Sequence, residues 1–273
     1  MKFRLLILDI DGTLANSNKE VSEGNRTTLL KLQEGGIKLV LASGRPTYGI
    51  MPIVEKLNMK SYGGYILPYN GGEVIEVKKN ERLFSNVLPE NVLPMLYEAA
   101  FRHNLPILSY DGEYVVTELA GDGFVAKEAF LNRMKVKEVS RFLDAVPRPV
   151  PKCLIVGEPE RLIPVESELR MLLQGQINVF RSEPYFLELV PQGVDKGLSL
   201  AILMDRIGIK REAVVAMGDG YNDLSMIQFA GYSVAMGNAQ EPVKLAADEV
   251  TLSNDEDGVA VTVEKLFPFV TKK

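Results

Sequence analysis

The chain has 273 residues, with 46% hydrophobic and 25% charged side chains and a net charge of −5. Those proportions are those of a globular protein of one large or two ordinary domains. They leave no broad basic footprint for nucleic acid. A single cysteine, Cys153, excludes an internal disulfide framework, and a single histidine, His103, has no second histidine or cysteine with which to share a metal. No run approaches the length of a membrane span, and the apolar N-terminal stretch is too short for a secretory segment, so the expected location is the cytoplasm.

Phe3 to Ile10 is an apolar run that reads as a buried strand, broken at its end by Asp9 and Asp11 and closed by Gly12-Thr13. Glu20 to Glu34 has a helical apolar pattern that stops at Gly35-Gly36. Ile37 to Ala42 is a second buried strand, followed at once by Ser43-Gly44-Arg45-Pro46. Pro46 suits the first turn of a helix running to about Asn58. Tyr65 to Leu67 and Glu73 to Val77 read as strands on either side of the turn Asn70-Gly71-Gly72. A β-α-β-α-β order predicts a parallel sheet with helices on its faces.

Near Arg82 the rhythm changes. A helix is predicted over Pro89 to His103, then a hairpin with Tyr110-Asp111-Gly112-Glu113 between its strands. Gly121-Asp122-Gly123 reads as a polar loop and Val136 to Ala145 as a helix. A strand at Cys153 to Val156, a helix from about Pro159 to Leu173, and strands at Ile177 to Phe180 and Tyr185 to Val190 follow. Residues 82–189 are thus expected to form an inserted α+β domain with a largely antiparallel sheet, and 1–81 with 190–273 a discontinuous α/β core. From Val190 the parallel rhythm returns: a helix over Lys196 to Ile207, a buried strand at Ala213 to Met217, and then Gly218-Asp219-Gly220-Tyr221-Asn222-Asp223. A helix over Asp223 to Ala230, strands at Tyr232 to Met236 and Val250 to Leu252, and helices near Glu241 to Ala247 and Gly258 to Leu266 complete the chain.

Polar residues stand at the ends of core elements in four stretches: Asp9/Asp11-Gly12-Thr13, Ser43-Gly44-Arg45, Lys196-Gly197 and Asp219 to Asp223. In a parallel sheet the strand tips share one edge, where open α/β sheets bind ligands. Asp9, Asp11, Asp219 and Asp223 would then crowd one pocket with Lys196. Like charges about 4 Å apart repel by about 1 kcal/mol in water and about 4 kcal/mol at an effective dielectric near 20. Such a cluster needs a cation or raised pKa values, and its oxygen donors suit Mg²⁺ sharing a phosphate oxygen. The Ser43 hydroxyl, neighbouring backbone N–H groups and the Lys196 ammonium suit a phosphoryl group. Phosphoryl transfer to an aspartate is the reaction these parts invite.

In that order the four stretches resemble the four motifs of the haloacid dehalogenase superfamily phosphatases. The long insertion resembles the C2 cap of their Cof-type subgroup, subclass IIB. The resemblance implies a Rossmann-like core with a cap, and a phosphatase of a small phosphorylated metabolite, a sugar phosphate above all. It implies Asp9 as the nucleophile and Asp11 as the general acid and base. It implies Mg²⁺ on Asp9, the Asp11 backbone carbonyl and Asp219, with Asp223 in support. Ser43, Gly44, Lys196, Asn222 and the Ile10 backbone N–H would bind phosphate. Arg45, Asn70, Gly71 and Asp122 are the remaining candidates to face substrate. The same residues also admit a phosphomutase or a non-enzymatic phospho-acceptor. No nucleic-acid or membrane partner is expected, and the protein is expected to be a monomer or weak oligomer.

Overall fold

The computed structural model describes residues 2–270. The chain divides into two compact units. One holds the chain up to Gly44, Ile50–Phe84 and the chain from Asp195; the other holds Arg45–Gly49 and Ser85–Val194.

The first unit opens with β1 (Leu5–Asp9), buried along its whole length because strands flank it on both sides. Helix α1 (Glu23–Glu34) follows, its first turn capped by Ser22, whose hydroxyl accepts from the Asn25 N–H. Next come β2 (Lys38–Ala42), α2 (Thr47–Lys56), α3 (Met59–Tyr62), β3 (Gly64–Leu67), β4 (Glu73–Glu76) and β5 (Glu81–Ser85). The single helix expected from Pro46 to Asn58 is shorter. It begins after Pro46, and Asn58, in the left-handed region at φ 51°, separates it from α3.

The second unit contains α4 (Leu93–Arg102), β6 (Ile107–Asp111), β7 (Tyr114–Thr117), α5 (Gly123–Leu131), β8 (Lys135–Glu138), α6 (Phe142–Ala145), β9 (Cys153–Val156), α7 (Pro159–Leu172), β10 (Ile177–Glu183) and β11 (Phe186–Pro191). Its sheet runs in the order β10-β11-β9-β6-β7-β8, with only the β7–β8 pairing parallel. Ile107, Cys153, Ile155, Leu187 and Leu189 alternate onto one face, in one apolar core with Leu96, Leu162 and Leu169 of α4 and α7. Cys153 is fully buried, and burial pushes its thiol up to about 12, which suits a core residue and not a nucleophile.

Two expectations fail in this unit. The residues read as one helix over Val136 to Ala145 form β8 and the four-residue α6, because β8 pairs along β7 from Tyr114↔Lys135 to Thr117↔Glu138. The stretch read as a loop at Gly121-Asp122-Gly123 opens α5 instead, with Asp122 as its cap.

The chain then returns to the first unit with α8 (Lys196–Ile207), β12 (Val214–Gly218), α9 (Leu224–Phe229), β13 (Tyr232–Ala235), α10 (Glu241–Ala246), β14 (Glu249–Val250) and α11 (Gly258–Leu266). The division falls at 84/85 and 194/195, where 81/82 and 189/190 were expected. The first border moves because β5 joins the core sheet, the second because β11 runs on to Pro191 against β10.

The eight core strands lie in the order β14-β13-β12-β1-β2-β3-β4-β5, parallel from β14 to β3. From β1 the order steps one way to β2 and the other way to β12. The tip of β1 is therefore a topological switch point, where crossover connections diverge and leave a crevice. Among the described residues no helix is long and apolar enough to cross a membrane.

Candidate active site

Asp9 ends β1, in register with Ala42 at the end of β2. Its carboxylate is buried, and Oδ1 accepts from Lys196 Nζ at 2.6 Å. Lys196 is the first residue of α8 and is fully buried; Asp195 precedes it as the cap, accepting from the Leu198 N–H. The same ammonium donates to Asp223 Oδ1 at 2.6 Å. Asp223 Oδ2 accepts from the backbone N–H groups of Asp219 and Gly220, both at 2.9 Å. Asp223 is thus spent on holding Lys196 and the turn beyond β12.

Asp219 stands at that turn, and its Oδ1 accepts from the Thr13 hydroxyl at 2.7 Å. The approach of the two turns requires a glycine. Gly12 has φ 89°, and a Cβ on it would lie 2.3 Å from Asp219 Oδ2. Carboxylate oxygens of Asp9, Asp219 and Asp223 lie within 4.8 Å of one another. The carboxylate of Asp11 is not in this group. It is half-buried and pairs with Lys19 Nζ at 3.1 Å, while Ile10 between the two aspartates is fully buried.

Ser43 is buried at the tip of β2, and its carbonyl accepts from the Asn70 N–H at 2.8 Å. This bond brings the loop after β3 to the site. Asn70 Oδ1 accepts from Asn222 Nδ2 at 3.0 Å, and a Cβ on Gly44 would touch the Asn70 amide at 3.2 Å. Gly71, at φ 92°, offers its carbonyl to the Ser199 hydroxyl at 2.6 Å, one turn along α8 from Lys196. The structure thus gathers Asp9, Ser43, Gly44, Asn70, Gly71, Lys196, Asp219, Asn222 and Asp223 around the switch point. Arg45 and Asp122 belong to the other unit. Arg45 Nη1 donates to the Gly49 carbonyl at 3.4 Å. Asp122 Oδ1 accepts from the N–H groups of Phe124 and Val125, so this carboxylate caps α5.

Burial, and after it the Asp223 carboxylate, push Asp9 well above the ordinary carboxylate range, against the pull of Lys196. Asp219 is pushed up to about 6, by burial first, with the Thr13 bond opposing. Lys196 is raised although burial favours its neutral form, because Asp223 and Asp9 outweigh that cost. Three carboxylates thus share one ammonium, and burial, reinforced by the Asp223 carboxylate, raises Asp9 and Asp219. That donor set, hard oxygens carrying uncompensated charge, fits a divalent cation such as Mg²⁺.

Thr13, Lys19, Ser199 and the Asn70–Asn222 bond escape sequence reasoning. Thr13 stands inside a motif, but nothing local reveals a partner 206 residues away. Asp195 is missed too, although an aspartate immediately before the periodic run of α8 is a local capping signal.

The haloacid dehalogenase-like hydrolase family model matches residues 6–263. A haloacid dehalogenase-like hydrolase from Bacteroides thetaiotaomicron is 62% identical, with a TM-score of 0.96 over 97% of this chain and 100% of its own. The Bacillus subtilis 5-amino-6-(5-phospho-D-ribitylamino)uracil phosphatase YcsE is 28% identical over 262 residues, 95% of this chain and 94% of its own. The subclass IIB sugar phosphatase BT4131, 24% identical, shares the fold with a TM-score of 0.78 over 97% and 99% of the two chains.

Proposed function

We propose a specific chemistry for this chain, which belongs to the haloacid dehalogenase-like hydrolase family and is a Cof-type phosphatase, a phosphoric monoester hydrolase. It hydrolyses a small phosphorylated metabolite through an aspartyl-phosphate, with Mg²⁺ at the acidic cluster. The observation that carries the reading is the meeting of Asp9, Asp219 and Asp223 at the switch point of the sheet, with buried Lys196 bonded to Asp9 and Asp223.

Asp9 attacks the phosphorus and the bond to the ester oxygen breaks. Asp11 gives the departing oxygen its proton. Asp11 then takes a proton from water as that water attacks the phosphorus, and Asp9 is released. The division of labour needs one carboxylate ionised and its neighbour able to hold a proton. Lys196 orients Asp9 and favours its ionised form, against the burial that favours the neutral acid. Ser43, Gly44, Asn222, Lys196 and the Ile10 N–H hold the phosphoryl oxygens. Mg²⁺ would be held by Asp9, Asp219 and the Asp11 carbonyl, with Asp223 fixing the Asp219 turn. When bound it offsets the repulsion between a phosphate dianion and the carboxylates and stabilises charge in the transition state. The substrate class is a phosphorylated sugar or polyol; the relative named for a phosphoribityl substrate supports it.

The test is phosphate release over a panel of phosphorylated sugars, polyols and cofactors. Release with Mg²⁺ and its loss with EDTA are expected. Undiminished release in EDTA contradicts the metal's role. Interconversion of sugar phosphate isomers without release would make the enzyme a mutase.

A further inference from the structure

The stretch Ser253-Asn254-Asp255-Glu256-Asp257-Gly258 serves none of the roles above, yet it grips the loop that follows the nucleophile. Residues 12–22 fold back on themselves, with the Asn16 N–H donating to the Glu20 carbonyl and the Lys19 N–H to the Asn16 carbonyl. Four ties hold this loop from segments more than 220 residues away. Asn238 Nδ2 donates to the Gly12 carbonyl at 2.8 Å. Asn254 Nδ2 donates to the Ala15 carbonyl at 2.9 Å. The Ser17 N–H and hydroxyl donate to Asp255 at 2.8 and 2.6 Å, and the Ser22 hydroxyl donates to Asp257. The two asparagines are joined, since the Asn254 N–H donates to Asn238 Oδ1 at 3.0 Å.

Asn254 is buried, so its carboxamide has no solvent alternative. Asn238 is exposed and packs into no core; both ends of its carboxamide are engaged in bridging. The peptide it grips lies between Asp11-Gly12 and Thr13. That peptide must hold the positive φ of Gly12, and beyond it Thr13 holds Asp219. A displacement of about 1 Å in a reacting group can cost about 100-fold in rate.

We propose that Asn238, locked by Asn254, is a positioning residue that orients the Asp11 carboxyl for proton transfer to the leaving group. The proposal rests on the acid role given to Asp11 above. Asn238→Asp is the informative variant, because it keeps the acceptor for the Asn254 N–H and turns the donor to Gly12 into a repelling oxygen. Asn238→Ser is the second variant, should the added charge disturb the fold.

The experiment compares two substrates and one exchange measurement on the full-length enzyme. p-Nitrophenyl phosphate releases a stabilised anion and needs no proton; an alkyl phosphate needs one. The expected result is a kcat/KM loss at least about tenfold larger on the alkyl than on the aryl substrate, in line with the share of a general acid, because kcat/KM reports the steps up to departure of the leaving group and not the later attack of water. Hydrogen exchange is expected to rise in peptides covering 10–22 and to stay unchanged in peptides of the β9–β11 region. A lowered active fraction would scale both substrates equally. Equal losses, or no change in exchange over 10–22, would overturn the proposal. Asp11→Asn is the control. If it shows no preference for the aryl substrate, the acid role itself is wrong and the proposal falls with it. If it does and Asn238→Asp does not, the proposal alone is wrong.

Discussion

Each unit buries a lysine among carboxylates, and the two clusters are closed differently. In the second unit Lys152 pairs with Glu188 at 2.7 Å, and Glu188 also accepts from the Ser182 hydroxyl. Nearby Glu128 accepts from the Tyr110 hydroxyl and the Asn132 amide, and burial raises its pKa, which favours the neutral acid. One ammonium and one carboxylate then cancel, and the remaining polar atoms meet neutral partners. In the first unit Lys196 bonds Asp9 and Asp223 with Asp219 beside them, so three carboxylates share one ammonium, and only protons or a cation offset the excess. A buried ion pair that balances is a structural element; a buried excess of carboxylates over cations marks a candidate functional site.

The sharpest break in that comparison comes from Asp9→Asn. It should cost at least about 10⁴-fold in turnover, a loss typical of a group that acts in every step. The fold should remain intact, as judged by circular dichroism and melting. Full activity of the purified variant would place the chemistry elsewhere.

Lys152→Met probes the balanced cluster. Removing one partner of a buried pair strands the other, at a cost of about 3–5 kcal/mol. Denaturant unfolding should report that loss, and Mg²⁺ should restore none of it. A loss below about 1 kcal/mol would mean that Glu188 finds another partner or water.

The smallest effect is on pH dependence. Asp219 is raised from an ordinary 3.8 to about 6 in the metal-free protein. Between these values the folded state binds more protons than the unfolded one, so this group's contribution to stability falls as pH rises through that window. Relative to wild type, Asp219→Asn should therefore gain stability from pH 4 to about 6 without metal. Saturating Mg²⁺ should remove the trend from wild type. A flat difference across the window would remove the charge argument for Asp219.

The elements that carry the site were legible because each has a local cause. The β1 run is apolar and is followed by turn-forming Gly12-Thr13, and α8 carries its apolar residues over Lys196 to Ile207. What escaped is held by distant partners. β5 reads Glu-Arg-Leu-Phe-Ser and β8 Lys-Val-Lys-Glu, both half-exposed strands whose hydrogen bonds come from neighbours the local pattern does not reveal. The motifs announced the residue types of the site but not its contacts. Thr13 to Asp219, Asn222 to Asn70 and Asn238 to Gly12 each join loops at least 150 residues apart, and only the closed sheet brings them together.

The central claim is that Asp9 carries the phosphoryl group. The most direct test is mass spectrometry of the Asp11→Asn enzyme, acid-quenched during turnover of p-nitrophenyl phosphate with Mg²⁺. Without Asp11 to activate water the second step slows, so one phosphoryl group should accumulate on the peptide containing Asp9. An unmodified Asp9 peptide from an enzyme still releasing phosphate would contradict the account.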